Sequence, residues 1–341
     1  MSTPPGLDIA RLAAYLQDKA PGLVTEPIDA ELIAGGRSNL TYVVNEVFVL
    51  RRPPLGHVLA TAHDMAREYR VISALGPTPV PVPDALLLCE DPDVLGAPFY
   101  LMARVPGVVL RSRRQTDPLG DDARREVAFA MMDTLAGLHR VDPAEIGLAD
   151  FGRPEGFLER QVRRWSKQLA QSTSRDLPDA EVLRDRLAAG IPVSATTAIV
   201  HGDYRLDNLI VDPATMRVAA VLDWEMATLG DPLTDLGLLL AYWTVLDQLK
   251  IGVNPIADGL GADAGFPSGD ELLERYAGSS GAALDDLHWY VAMACYKLAV
   301  ILEGIHYRYT SGQTVGAGFD QIGALVPPLL AQGLAAINGE S

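Results

Sequence analysis

The feature that most constrains this chain is a change of periodicity at Val105-Pro106-Gly107. Before it, apolar residues fall in short β-prone runs at Ile28–Ala34, Leu40–Asn45, Val47–Arg51, Ala85–Cys89 and Phe99–Arg104, divided by turn-forming residues. Leu7–Lys19 and His63–Leu75 carry helical spacing, and the prolines from Pro77 to Pro83 favour an extended path. After it, helical spacing dominates: Asp121–Arg140, Gly156–Gln171, Asp179–Ala189, Leu233–Leu249, Gly269–Gly278, Leu284–Tyr309 and Ala317–Ile337. Short strands are expected at Ala198–His201, Leu209–Val211 and Arg217–Leu222, and a mobile loop over Ile251–Ser268. The expectation is an α+β chain with a first lobe at 1–105, built on a five-stranded antiparallel sheet. A mostly helical lobe follows at 106–341.

With 341 residues, 48% of them hydrophobic, the chain has material for a sizeable core. A net charge of -16 speaks against a nucleic-acid binder. The apolar stretches near Leu236–Leu246 and Val291–Leu302 are too short or too polar to span a bilayer, so no membrane partner is expected. The first residues lack a basic start and an apolar segment, so no signal peptide is read. Cys89 and Cys295 sit in apolar surroundings and read as free thiols in a reducing compartment. A cytoplasmic protein is the expectation.

The segment His201-Gly202-Asp203-Tyr204-Arg205-Leu206-Asp207-Asn208 carries the chemistry. Apolar residues flank it on both sides, and Asp223 follows the next apolar run. Phosphoryl transfer needs positioning, charge neutralisation and a carboxylate to take the hydroxyl proton. Asp203 suits the proton acceptor, and Asn208 and Asp223 supply the oxygens that Mg²⁺ prefers. His201 reads as structural. Asp231 and Asp235, in Gly230-Asp231-Pro232-x-x-Asp235-Leu236-Gly237, read as supports of the loop: Asp231 as an N-cap-like acceptor, Asp235 as a carboxylate that must be paired if buried. No His/Cys cluster has zinc spacing.

These motifs resemble the aminoglycoside phosphotransferase/choline kinase-like superfamily, from Ile28 to about Leu330. Within it the chain is most similar to the phosphotransferase-like domains fused to acyl-CoA dehydrogenases, through Gly35–Tyr42, Val49–Pro54, Val80–Pro83, Gly96–Met102 and His201–Asn208. The resemblance implies a two-lobed protein-kinase-like fold, with ATP as co-substrate and Mg²⁺ as cofactor. The glycine-containing loop between two strands (Gly35, Gly36, Ser38, Asn39) would hold the ATP phosphates. The backbone of Met102, Ala103 and Arg104 would read the adenine edge. On the third strand, where the superfamily usually carries Lys, this chain has Arg51 and Arg52. Arg51 with Glu68 is assigned the phosphate role, and Arg52 stays an alternative.

Arg160, Arg163, Arg164 and Lys167 fall on one face of a predicted helix. With Glu225 and Arg308 they form the expected acceptor-binding set, suited to a small anionic acceptor such as a hydroxy acid or hydroxyacyl-CoA. An aminoglycoside or amino-alcohol acceptor, a protein acceptor and a nucleotide-binding pseudokinase are the alternatives. Oligomeric state is not legible.

Overall fold

The computed structural model describes residues 4–23, 27–33, 39–55, 64–173, 175–246, 260–312 and 319–339. The chain divides into two compact units: 1–107 with 219–227, and 108–218 with 228–341.

The first unit is built on five antiparallel strands: β1 (Ala30–Leu32), β2 (Leu40–Val44), β3 (Phe48–Arg52), β4 (Ala85–Cys89) and β5 (Phe99–Ala103), in the order β1-β2-β3-β5-β4. Alternation along the pleat sorts their side chains onto two faces. Tyr42, Leu50 and Leu101 share one register row and pack with Leu12 and Leu16 of helix α1 (Ile9–Lys19). Val49 with Met102, and Arg51 with Tyr100, lie on the other face. Helix α2 (Met65–Leu75) packs on β4 and β5. The cap Asp64, whose side chain accepts from the Arg67 amide at 2.9 Å, sets the start of α2 just inside the predicted run. A single-turn helix α3 (Pro92–Leu95) bridges β4 and β5.

The second unit is mostly helical: α4 (Arg113–Thr116), α5 (Asp121–His139), α6 (Phe157–Ser172), α7 (Pro178–Ala189), α8 (Leu233–Leu240), α9 (Gly269–Ser280), α10 (Leu287–Thr310) and α11 (Val326–Ile337). Helix α10 packs against α6, α7, α8 and α11. At the α8–α10 crossing, Gly237 sits so close to Tyr290 that a Cβ there would fall 2.6 Å from the Tyr290 backbone. Strand β6 (Ala198–Val200) leads into the His201–Asn208 segment; β7 (Leu209–Val211) leads out of it. The turn after β7 is closed by the Asp212 amide donating to the Arg217 carbonyl at 2.9 Å, and β8 (Val218–Val221) follows. A ninth strand, β9 (Thr228–Gly230), pairs antiparallel with β6.

Three expectations need revision. The unit division sets 219–227 with the first unit rather than with the helical part. The reason is local: the Val221 amide donates to the Pro81 carbonyl at 2.8 Å, and Arg67 donates to the Ala227 carbonyl at 3.0 Å. The helix expected over Leu233–Leu249 is α-helical only to Leu240, and a π-helical stretch continues over Ala241–Leu246. There the Thr244 hydroxyl donates back to the Leu240 carbonyl and the Trp243 indole to the Pro267 carbonyl, drawing the winding wider. Of the helix expected from Ala317, residues 317 and 318 lie outside the described residues; among the rest a short 3-10 turn at Ile322–Leu325 precedes α11, which starts at Val326. Pro327 and Pro328 lack amide donors and are tolerated only in a first turn. Of the loop expected over Ile251–Ser268, residues 251–259 lie outside the described residues.

Candidate active site

In the first unit the two arginines of the third strand have different partners. Both are buried, at 8% exposure for Arg51 and 4% for Arg52. Arg52 spends its guanidinium on the backbone carbonyls of Gly6 and Leu95. Arg51 faces α2, where its Nη1 lies 2.7 Å from Glu68 Oε1, and its Nη2 donates to Asp223 Oδ1 at 2.8 Å. Burial pushes the Glu68 carboxyl up to about 7, against the pull of Arg51. Burial alone would lower Arg51, but Glu68, Tyr100 and Asp223 more than reverse this and keep it charged.

Asp223 adopts φ 65°, ψ 63°, in the left-handed region that short polar side chains tolerate best. Trp224, fully buried, donates its indole N–H to the Val221 carbonyl at 3.0 Å and pins this turn. Asn39 is buried and donates to Glu225 Oε2 at 3.2 Å. Glu225, expected beside the acceptor, thus belongs to the first unit with Asn39; Gly35, Gly36 and Ser38 lie outside the described residues. The expected adenine-reading backbone is partly committed elsewhere. The Ala103 amide donates to the Asp84 carbonyl and the Arg104 amide to Val47, each at 2.8 Å, and Met102 is paired with Val49 and Ala85. β5 is flanked on both sides, which saturates its donors.

In the second unit the His201–Asn208 segment is braced from behind. Asp235, wholly buried at the start of α8, accepts the His201 amide through Oδ2 and the Gly202 amide through Oδ1, both at 2.7 Å. His139 Nε2 lies 3.2 Å from Asp235 Oδ2, and its Nδ1 lies 2.8 Å from the Tyr276 hydroxyl. Burial would raise the Asp235 carboxyl, but these hydrogen bonds and the neighbouring histidines hold it below its ordinary value. His201 is buried and its Nδ1 accepts the Asp203 amide at 3.2 Å. Gly202 has φ +84°, which a side chain would resist. Asp231 accepts the Leu233 amide at 2.9 Å and the Tyr290 hydroxyl at 2.7 Å, tying the head of α8 to α10.

The Asp203 side chain is 29% exposed, so its carboxylate meets solvent while its neighbours hold it. Asn208 Nδ2 donates to the Asp203 carbonyl at 2.8 Å and to its Oδ2 at 3.1 Å. The Tyr242 hydroxyl reaches Asp203 Oδ1 at 3.5 Å, and Arg205 Nε lies 3.6 Å from Oδ2. Arg205 also pairs with Asp207 at 2.9 Å and covers the Tyr242 ring.

Residues 29–288 match the Phosphotransferase enzyme family. The chain belongs to this family. It is a phosphotransferase by family. It is 34% identical over 92% of its length to mouse (Mus musculus) acyl-CoA dehydrogenase family member 10, covering 30% of that protein. A human (Homo sapiens) relative, acyl-CoA dehydrogenase family member 11, is 33% identical over 96% of the chain, which spans 43% of it. The chain therefore spans less than half the length of these curated relatives. Among solved structures, a candidate aminoglycoside phosphotransferase from Ralstonia eutropha JMP134 superposes with a TM-score of 0.83 at 32% identity. It covers 97% of this chain and 98% of that one.

The phosphotransferase carries its expected acceptor cations on α6 and α10. Arg160 is spent on the carbonyls of Glu155 and Arg153. Arg163, Arg164 and Lys167 are exposed, as is Arg308 near the end of α10. Arg175 is taken by an ion pair with the buried Glu303, at 2.6 Å. The sequence reading missed Arg205, Tyr242 and Lys297. Lys297 donates to the Gly202 carbonyl at 2.6 Å. Its signal was a lone cation inside the apolar run Cys295-Tyr296-Lys297-Leu298-Ala299. No helix among the described residues is long and apolar enough to cross a membrane.

Proposed function

We propose that this enzyme is an ATP- and Mg²⁺-dependent kinase of an anionic hydroxylated metabolite, a hydroxy acid or hydroxyacyl-CoA. The observation that carries the reading is the Asp203 carboxylate, held by Asn208 and partly exposed. In the proposed reaction the acceptor oxygen attacks the γ-phosphorus while the bond to the β-phosphate breaks. Asp203 takes the hydroxyl proton, and ADP leaves. Arg51, fixed by Glu68, supplies positive charge toward the phosphates.

The residues present fit a magnesium ion. Asn208 is anchored through Nδ2, which leaves Oδ1 for a ligand; Asp223 commits one oxygen to Arg51, and its side chain is 31% exposed. Mg²⁺ held with nucleotide phosphates needs only one or two protein oxygens, so a dense carboxylate cluster is not required. When bound it would neutralise phosphate charge.

Two observations support the anionic acceptor. Exposed cations gather on α6 in an otherwise acidic chain. The curated relatives that contain a similar stretch are named for acyl-CoA dehydrogenation. The test is a substrate screen with purified protein and both ATP and GTP. Hydroxy acids or hydroxyacyl-CoA should be turned over. Turnover of aminoglycosides alone would replace this reading, and nucleotide binding without any turnover would favour a pseudokinase.

A further inference from the structure

Helix α10 carries one cation into the apolar interior of the second unit. Lys297 is half-buried, and the Gly202 carbonyl takes one of its three donors, immediately before Asp203. Among the described residues no carboxylate lies within ion-pair distance of its amine. A half-buried ammonium with no carboxylate in direct contact is costly, and such groups are normally paired. A second cation stands beside it. The Lys297 amine lies 5.6 Å from the centre of the Trp165 ring, and the Arg164 guanidinium lies 5.3 Å from the same ring. Two like charges drawn to one indole repel each other, and an anion between them would relieve that repulsion. Burial lowers the Lys297 amine; Asp203 and Asp235 pull it up, while Arg164 pushes it further down.

We propose that Lys297 and Arg164, against Trp165, bind the carboxylate of a free hydroxy acid whose hydroxyl is presented to Asp203. This rests on the kinase reading above and narrows it, because a CoA thioester has no carboxylate to offer. The other donors of Lys297 remain for the ligand while Gly202 fixes the amine.

The test uses the full chain with ATP and Mg²⁺, and hydroxybutyrate and longer straight-chain hydroxy acids as probes, each beside its methyl ester and CoA thioester. The acids should show lower KM than either neutralised form. Lys297→Met should raise KM for the acids about tenfold, the loss of one charge-assisted contact. The ratio of acid KM to ester KM should rise by about the same factor, whatever the loss of the Gly202 contact does to both substrates alike. Lys297→Arg should recover part of the loss. Arg164→Ala, at an exposed position that does not threaten folding, should shift the acids in the same direction by a few-fold. Equal loss of kcat on acid and ester with no change in acid KM would overturn the proposal, leaving Lys297 as a prop for Gly202. A preference for the thioester, or an Arg164→Ala effect shared by acid and ester, would also overturn it. No turnover of any hydroxy acid or thioester sinks the acceptor reading and this proposal together. Turnover without charge discrimination sinks only the latter.

Discussion

The two charged centres of this enzyme are built in opposite ways. Around Arg51 the charges satisfy one another: the guanidinium spans Glu68 and Asp223, and Arg51 and Glu68 are buried. Around Asp203 the buried carboxylate is a different residue, Asp235, which grips backbone amides and leaves Asp203 open to solvent. Under the proposed function, stability and chemistry are thus shared by the same side chains at the first centre and divided between two at the second. Mutations at Arg51 or Glu68 should disturb folding and nucleotide binding together, whereas Asp203 should be removable with the fold intact.

The sharpest way to break that contrast is Asp203→Asn. It should lower kcat about a thousandfold, within the span of general-base effects, and leave the melting temperature and nucleotide Kd nearly unchanged. A large fall in melting temperature would contradict the division of labour. Next is Glu68→Gln, which strips Arg51 of its main partner while Asp223 remains. A loss of about 3 kcal/mol in denaturant unfolding is expected, the low end for a broken buried pair, with a rise in KM for ATP.

Asp235→Asn should come third, costing about 2 kcal/mol as one backbone amide loses its acceptor, with a smaller fall in kcat than Asp203→Asn. Its pH dependence has a defined sign. The folded-state pKa of Asp235 lies below the ordinary value of 3.8, so the carboxylate's contribution is present above that pH and lost as the pH falls through the folded value. The stability gap between wild type and Asp235→Asn should therefore shrink below pH 3.8. The smallest effect is expected for Tyr242→Phe, whose hydroxyl reaches Asp203 at 3.5 Å: a few-fold lower kcat, read by steady-state kinetics, with unchanged melting temperature.

The fold was readable wherever a segment announces itself by local pattern. The strand runs and the helices around α5, α6 and α10 followed from apolar spacing, and most ends fell within a few residues of the observed caps. What escaped depends on partners distant in sequence. Strand β9 is three residues long and exists through its pairing with β6. The π-helical stretch after Leu240 depends on a contact from Trp243 to Pro267. In the site, Asp203 and Asn208 were visible because they lie five positions apart in one segment; the structure adds the bonds between them. Tyr242 and Lys297 arrive from separate helices, and no spacing rule connects them to residue 203. The partners of Arg52 were equally out of reach, because the carbonyls of Gly6 and Leu95 that hold it lie 46 and 43 residues away in sequence.

The close contact at Gly237 has a consequence for tuning. Helix α8 grips the 201–202 backbone through Asp235, and α10 grips it through Lys297. The spacing between these two jaws is set by an absent methyl group, since a Cβ at residue 237 would strike Tyr290. A single added carbon there would open the vice without touching anything it holds. Position 237 is thus a remote adjustment screw for the backbone that leads into Asp203, the proposed proton acceptor.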